Sequence, residues 1–153
     1  MAGRCIERTR RAAFRCCVLW SCWYVGSVAP YQSLKAWQHA QRLAVECARA
    51  AKAFPDYEQD ALADQLRRAC YTVVLNIAEG SAKRGSREYR RYLDTANGSL
   101  AEVETALGIA RELEYLQPAE FGRLEALATE TGKTLFGLLR KTTEAAKRSP
   151  APF

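Results

Sequence analysis

An amide and a carboxylate interrupt an otherwise apolar run in the stretch VVLNIAEG, which covers residues 73–80. Asn76 and Glu79 lie three residues apart, so they share one face if the segment is a helix. Such a pair could be catalytic, could bind a metal, or could fasten a packed core. A buried polar group that lacks a partner costs about 1–3 kcal/mol, so a buried pair needs partners. The candidates are polar residues of the next helix and the link before it: Ser99, Glu102, Arg84 and Arg87.

Neither catalysis nor metal binding finds the companion residues that it needs. The chain has one histidine, His39, and no Glu-x-x-His motif, whereas a di-metal carboxylate bundle needs two such motifs. No C-x-x-C pair is present, and Ser81, Ser86 and Ser99 have no histidine within helical reach. We therefore predict no catalytic residue, no metal and no cofactor. We interpret Asn76 and Glu79 as part of a buried polar network that fixes helix register, and we prefer this interpretation to ligand binding. The predicted members of the network are Asn76, Glu79, Ser99 and Glu102.

Positive charge is concentrated directly after this stretch, in the segment SAKRGSREYRR. The nine residues 83–91 contain one acid, Glu88, and five cations, so their local charge is +4. The cations are Lys83, Arg84, Arg87, Arg90 and Arg91. One interpretation is a solvated helix terminus whose cations pair with Glu79, Glu88 or Asp94. The other is a surface that contacts phosphates, with Tyr89 and Tyr92 interleaved to stack on bases. Tyr89 also fits the core seam described below.

The composition is that of one globular domain. The chain has 153 residues, of which 48% are hydrophobic and 26% are charged. Its net charge of +6 is uneven, because residues 1–30 carry +4 and the remaining 123 residues carry only +2. Such a weak excess favours attraction to polyanions in general and indicates no specific partner.

The first thirty residues do not match the rest of the chain. A basic front precedes an apolar stretch from Cys16 to Val28, a pattern that resembles a signal peptide. Three interpretations stay open: a poorly ordered or mis-assigned extension, a signal or membrane anchor, or an extra packed element. We treat residues 1–30 as an extension, 31–146 as the domain and 147–153 as a tail. Cys47 and Cys70 fit apolar helical positions as buried thiols, and we predict a reducing cytoplasm.

Four amphipathic stretches with short links account for the domain. We predict one helix from about Ser33 to Ala53 with Ser33 as N-cap, and a second from about Tyr57 to Lys83 with Gly80 near its end. A third begins after Ser86 as N-cap, and a fourth begins at Gln117-Pro118 with the proline in its first turn. The seam of the third helix advances in steps of four and three: Tyr89, Leu93, Ala96, Leu100, Val103, Leu107 and Ala110. Short links make chain neighbours antiparallel, so the predicted fold is an all-α, up-down-up-down four-helix bundle.

The seams of the other helices are less regular. The predicted seam of the first helix is Leu34, Trp37, Ala40, Ala44, Ala48 and Ala51. That of the second passes through Leu62, Leu66, Ala69, Val73, Asn76 and Ala78 or Glu79. That of the fourth is Phe121, Leu124, Ala128, Thr131, Leu135, Leu138 and Thr142.

Several blocks occur in an order that is typical of one family: SLKAWQHAQRLA, FPDYEQDALADQLRRA, NIAEG and ANGSLAEVETALGIARELEYL. Through them the chain resembles the four-helix bundle family associated with intervening sequences in bacterial 23S ribosomal RNA genes. The resemblance covers about Tyr31 to Leu116 and extends to Lys141. It implies a short protomer that assembles into a ring-like homopentamer and has no catalytic residues. Asn97 stands where the family often has arginine before Gly98-Ser99, so an anion contact there is not carried over.

The resemblance also implies a relationship to the accessory protein of diversity-generating retroelements, which binds reverse transcriptase and nucleic acid. We predict a non-enzymatic homo-oligomer that binds RNA, DNA or a nucleoprotein through the basic link between the second and third helices. Copies that share one rim would multiply the local charge about fivefold. The alternative is a protein-interaction scaffold, for example for a reverse transcriptase, without direct nucleic-acid specificity. A small-molecule or metal-binding bundle ranks below both.

Overall fold

Residues 30–148 are the part of the chain that the computed structural model describes. They form four α-helices: α1 (Lys35–Ala50), α2 (Leu62–Ser81), α3 (Ser86–Glu112) and α4 (Pro118–Arg148). Short 3-10 turns at Pro30–Ser33, Ala51–Ala53 and Asp56–Glu58 complete the regular structure of this region, which has no strand. Each helix packs against its chain neighbours, and α1 also packs against α4. The predicted all-α four-helix fold is confirmed. The interpretations of the N-terminal extension fall on residues 1–29, outside the described residues.

The core is one cluster to which every helix contributes a stripe of apolar side chains. The seam of α3 is buried as predicted, except that Tyr89 is only partly buried. Burial of a leucine or isoleucine side chain contributes about 1.5–3 kcal/mol relative to exposure, so a few large residues dominate the core. The largest of those that are fully buried are Leu43, Leu66, Ile77, Leu93, Leu107, Leu124 and Leu135. None of the helices within residues 30–148 has the length and apolar character needed to cross a membrane.

Two helices begin later than the sequence predicted. The Ser33 hydroxyl donates to the Pro30 carbonyl at 2.7 Å, so it closes the preceding 3-10 turn and does not cap α1. The second helix begins at Leu62 and not at Tyr57, because residues 56–58 form a separate 3-10 turn. The Glu58 carboxylate then accepts a hydrogen bond from the Leu62 amide at 3.2 Å.

The helices α2 and α3 approach each other closely at Gly80. A Cβ atom at this position would lie 2.7 Å from Tyr92 Cβ and 2.9 Å from Tyr89 Cδ2, so only glycine fits without a shift. Helix α2 ends at Ser81, one residue after Gly80 and two residues before the predicted end at Lys83. The chain then turns at Gly85, whose φ of +98° lies in a region that side chains disfavour.

The antiparallel arrangement separates charge along the bundle. We call the half that includes the α2–α3 link the basic end; it comprises residues 30–42, 72–99 and 133–148. It holds twelve basic and four acidic residues, a net charge of +8. The acidic end, residues 43–71 and 100–132, holds six basic and twelve acidic residues, a net charge of −6. The small net charge of the domain therefore conceals two strong fields of opposite sign.

Candidate nucleic-acid interface

A groove runs between the first turns of α3 and the last turns of α4, and we call it the α3–α4 groove. Its volume is about 420 Å³. The residues that line it are Arg87, Arg90, Arg91 and Asp94 from α3 with Thr143, Ala146 and Lys147 from α4. The α3 residues recur at steps of three and four, so they share one helical face. Because α4 is antiparallel to α3, its C-terminal cation arrives beside the arginines.

The arginines of the link are weakly paired or not paired at all. Arg90 Nε lies 3.5 Å from Asp94 Oδ2, and Arg91 Nη1 lies 3.8 Å from Glu88 Oε1. Both are exposed pairs of a kind that contributes about 0–1 kcal/mol. Arg84 and Arg87 form no ion pair with any other residue of the region 30–148. The cations near the link are therefore largely available to a ligand.

Lys83 is the exception among the five predicted cations. Its ammonium lies 3.0 Å from Glu79 Oε1 and 5.0 Å from the centroid of the Tyr92 ring. Hydrogen bonds from Lys83, and secondarily from Tyr92, lower the pKa of Glu79 below its usual value. The reciprocal hydrogen bond with Glu79 raises the pKa of Lys83. Lys83 thus lies on the α2 side of α3, away from the groove.

The family model of the 23S rRNA-intervening sequence proteins matches residues 32–137. The chain belongs to this family. The matched range includes the α2–α3 link and its cations, whereas Lys147 lies beyond it.

One solved structure of similar fold is the crystal structure of a protein of unknown function from the S23 ribosomal protein family of Bacteroides thetaiotaomicron. Its TM-score is 0.63 at 20% identity, and the match covers 69% of this chain and 95% of that one. At this identity the likeness shows the shared fold alone. The search of curated proteins gave no match. Neither the family nor this structural neighbour is known by an enzymatic activity in its name.

The predicted buried polar network is not formed within residues 30–148. Asn76 Nδ2 donates to the Thr72 carbonyl at 2.8 Å. Glu79 is exposed and pairs with Lys83, while the exposed Glu102 accepts from Gln65 Nε2 at 3.0 Å. Ser99 is buried, at 6% exposure, but no hydrogen bond within residues 30–148 joins any two of the four.

The reason is a shift of one residue in the buried face of α2. Ile77 and Gly80 face the core, and Asn76 and Glu79, each one position earlier, turn toward its margin. Asn76 and Glu79 do share one face of α2, as their i,i+3 spacing predicted, but that face is not the one that packs in the core.

The two tyrosines of the link dock α3 onto α2. Tyr89 packs on Gly80, and burial raises the pKa of its hydroxyl. Tyr92 packs on the same glycine through its Cβ and receives Lys83 over its ring. These are the contacts of helix packing, and they explain the residue types without any base stacking.

The residues that could bind a metal or act as nucleophiles are dispersed or buried. Within residues 30–148, no three histidine, cysteine, aspartate or glutamate residues cluster closely enough to hold a metal ion. Cys47 and Cys70 are buried thiols, as predicted. A hydrogen bond with Cys47, followed by burial, raises the pKa of Cys70, which keeps this thiol protonated and unreactive.

A second concave surface is apolar and lies between α1 and α2. This α1–α2 groove has a volume of about 510 Å³. Its apolar residues include Val45, Tyr71 and Leu75, and the leucine is 64% exposed. On α4, Phe136 is similarly exposed, at 67%. Exposed apolar surface of this kind is typical of protein–protein contacts.

Sequence reasoning missed Lys147 because it assigned residues 147–153 to a tail. The fourth helix instead extends through Arg148. The signal was present in the fold prediction itself, since antiparallel helices place the last turn of the fourth beside the first turn of the third.

Proposed function

We propose that this 23S rRNA-intervening sequence family protein is a non-enzymatic bundle that binds nucleic acid, or a nucleoprotein, through its basic end. The observation that carries the proposal is the net charge of +8 on this end, with arginines of the α2–α3 link free of strong ion pairs. Arginine matches phosphate geometry with two parallel hydrogen bonds. Release of counterions from a polyanion then contributes affinity without any need for base recognition.

Self-association is part of the proposal. The α1–α2 groove and the exposed Phe136 offer apolar surface that a second copy could cover. A closed ring of parallel copies, with five as the number that the family resemblance implies, would place all basic ends on one rim. A modest patch would thereby become a continuous basic ring.

The second candidate function is a protein-interaction scaffold without direct nucleic-acid specificity, for example an accessory subunit of a reverse transcriptase. The α1–α2 groove supports it, because Val45, Tyr71 and Leu75 would suit an apolar partner surface as well as another copy. In this case the basic end would contribute only solubility and steering.

Fluorescence anisotropy with the full chain and a fluorescein-labelled 20-nucleotide RNA tests the proposal. We expect binding at 50 mM salt that weakens steeply toward 200 mM, because each phosphate contact releases counterions. Native mass measurement of the same sample reports the number of copies. Absence of binding at 50 mM salt would overturn the nucleic-acid function and leave the scaffold.

A matched pair of double variants separates local charge from overall charge. Arg84→Glu with Arg87→Glu removes four units of charge at the basic end, and we expect it to abolish most of the binding. Arg68→Glu with Arg111→Glu makes the same change at the acidic end, away from both grooves, and we expect it to weaken binding far less. Equal losses in the two variants would show that only the overall charge matters.

A further inference from the structure

We infer that the α3–α4 groove binds the phosphodiester backbone of the nucleic acid. The residues that contact the phosphates are Arg87, Arg90 and Arg91 of α3 and Lys147 of α4. This inference rests on the proposed function and refines it in two ways. It adds Lys147, which lies beyond the range that the family model matches. It also removes Lys83 from the set of ligand contacts.

The shape of the surface favours this groove over the rest of the link. Four of the seven residues that line it are cations, and two of the others, Thr143 and Ala146, have small side chains. Its volume of about 420 Å³ lies within the range of about 300–1,000 Å³ that is usual for ligand sites. Arg87 and Arg91 are one helical turn apart, about 6 Å along α3, so one backbone segment can meet both.

The chemistry of the lining points to phosphate and not to bases. The residues that line the groove include no aromatic ring on which bases could stack and no amide that could read adenine. The Thr143 hydroxyl donates to the Leu139 carbonyl at 2.8 Å, so its hydrogen is already used. The hydrogen-bond donors left for a ligand are cationic, and their charge favours phosphate oxygens, whose contacts position a backbone without reading its sequence.

The charges of the groove are favourably balanced for an anion. Four cations face one acid, Asp94, which is held 3.5 Å from Arg90. Arg87 and Lys147 come from different helices and form no ion pair within the described chain. Lys83, by contrast, does not line the groove and is held 3.0 Å from Glu79, so its replacement removes no contact that a ligand in the groove would make.

The test compares three single variants of the full chain with the wild type. The probes are fluorescein-labelled U20 and A20 RNA, titrated at several salt concentrations between 50 and 200 mM. We expect Arg87→Ala and Lys147→Ala each to weaken binding by about tenfold at low salt, uniformly for both probes. The slope of log K against log salt should fall by about 0.7 in each, as for one lost contact to a single strand. Lys83→Ala should leave affinity and slope unchanged.

Lys147→Arg is the conservative control and should retain the wild-type slope. If wild type binds but Lys147→Ala keeps its affinity and slope, the groove is wrong while the proposed function stands. A large preference for one homopolymer would overturn the backbone-only contact. If the wild type binds neither probe at 50 mM salt, the proposed function and this inference fail together.

Discussion

The two ends of the bundle use their polar residues in opposite ways. At the acidic end, Gln59 Nε2 donates to the carbonyls of Ala51 and Phe54 at 3.0 and 2.8 Å. Arg67 reaches across to the Gln59 side chain and carbonyl, at 3.2 and 2.7 Å. A long connection between α1 and α2 is thereby fastened by hydrogen bonds that satisfy its backbone.

A second fastening joins this connection to the loop before α4. Tyr57 Oη lies 3.1 Å from Tyr115 Oη, which donates to Glu58 Oε1 at 3.3 Å. The hydrogen bond with Tyr57, followed by burial and the charge of Glu58, raises the pKa of Tyr115 to about 12. The Phe54 ring packs beside Tyr115 with centroids 5.6 Å apart.

The basic end has a four-residue link, and its side chains do little to fasten it. Its order comes from shape, because Gly80 admits Tyr89 and Tyr92 against α2. The cations remain on the surface in weak pairs or none. The acidic end thus uses its polar groups for stability, whereas the basic end leaves its polar groups free to contact a ligand. Stability and binding should therefore respond to different substitutions.

The largest effect is expected from Phe54→Ala at the acidic end. Phe54 is 3% exposed, and loss of a buried aromatic ring costs about 3–5 kcal/mol of unfolding free energy. Urea unfolding measures the cost, with Leu113→Ala as the exposed control, which should change stability by less than about 0.5 kcal/mol. RNA affinity of the folded fraction should be unchanged. A loss of affinity in the folded protein would break the separation of the two ends.

Gly80→Ala probes shape at the basic end. The new methyl group would meet Tyr92 Cβ, which cannot rotate away, so we expect a loss of about 1–3 kcal/mol from overpacking. Gly98→Ala is the matched control, because nothing lies within 4 Å of its Cβ position and alanine favours a helix by about 1 kcal/mol. In thermal unfolding, the midpoint temperature should fall for Gly80→Ala and rise for Gly98→Ala. A stabilised Gly80→Ala protein would show that α3 can move away at no cost.

Gln59→Ala tests the hydrogen-bonded fastening. It removes the side-chain donor to the Ala51 and Phe54 carbonyls and the acceptor of Arg67 Nη1, at a cost of about 1–3 kcal/mol. The hydrogen bond from Arg67 Nη2 to the carbonyl of residue 59 remains, because that carbonyl belongs to the backbone. The exposed Gln117, near the same end, provides the control through Gln117→Ala, which should be close to neutral. Equal urea midpoints for the two variants would mean that water replaces the bonds of Gln59 without loss.

The buried face of a helix was predictable from the sequence where large apolar residues fix its register. In α3 the steps between Leu93, Leu100 and Leu107 leave one buried face, and the structure buries it. In α1 the alanines fit several registers equally well. The predicted seam through Trp37 and Ala48 is only partly buried, whereas the structure also buries Leu43 and Cys47.

The candidate site was only partly visible in the sequence. The five cations of the link stand out as a local run, but their directions depend on tertiary contacts. Lys83 turns to Glu79, whereas Arg87 turns to a helix that begins 31 residues later. Lys147 is far from the link in sequence and becomes its neighbour only because α4 is antiparallel to α3. No local pattern encodes that proximity.

The smallest effect concerns Lys83 and Glu79, the one basic-end pair with a short contact. A lowered carboxyl pKa contributes stability that is fully present above the usual value of 4.5 and is lost as pH falls through the lowered value. Lys83→Met should therefore return the pKa of Glu79 toward 4.5 in a carboxyl NMR titration, with little change in the urea midpoint at neutral pH, because the pair is exposed.

Lys83→Met also tests which cations of the basic end contact the ligand and which only stabilise the fold. A methionine keeps the length of the Lys83 stem against Tyr92 while it removes the charge. If RNA affinity is unchanged and the Glu79 pKa rises, the pair belongs to the fold, and the groove alone faces the ligand. If affinity falls as far as in Lys147→Ala, Lys83 exchanges Glu79 for phosphate on binding. The short ion pair would then be a competitor of the ligand, and the division proposed here would be wrong.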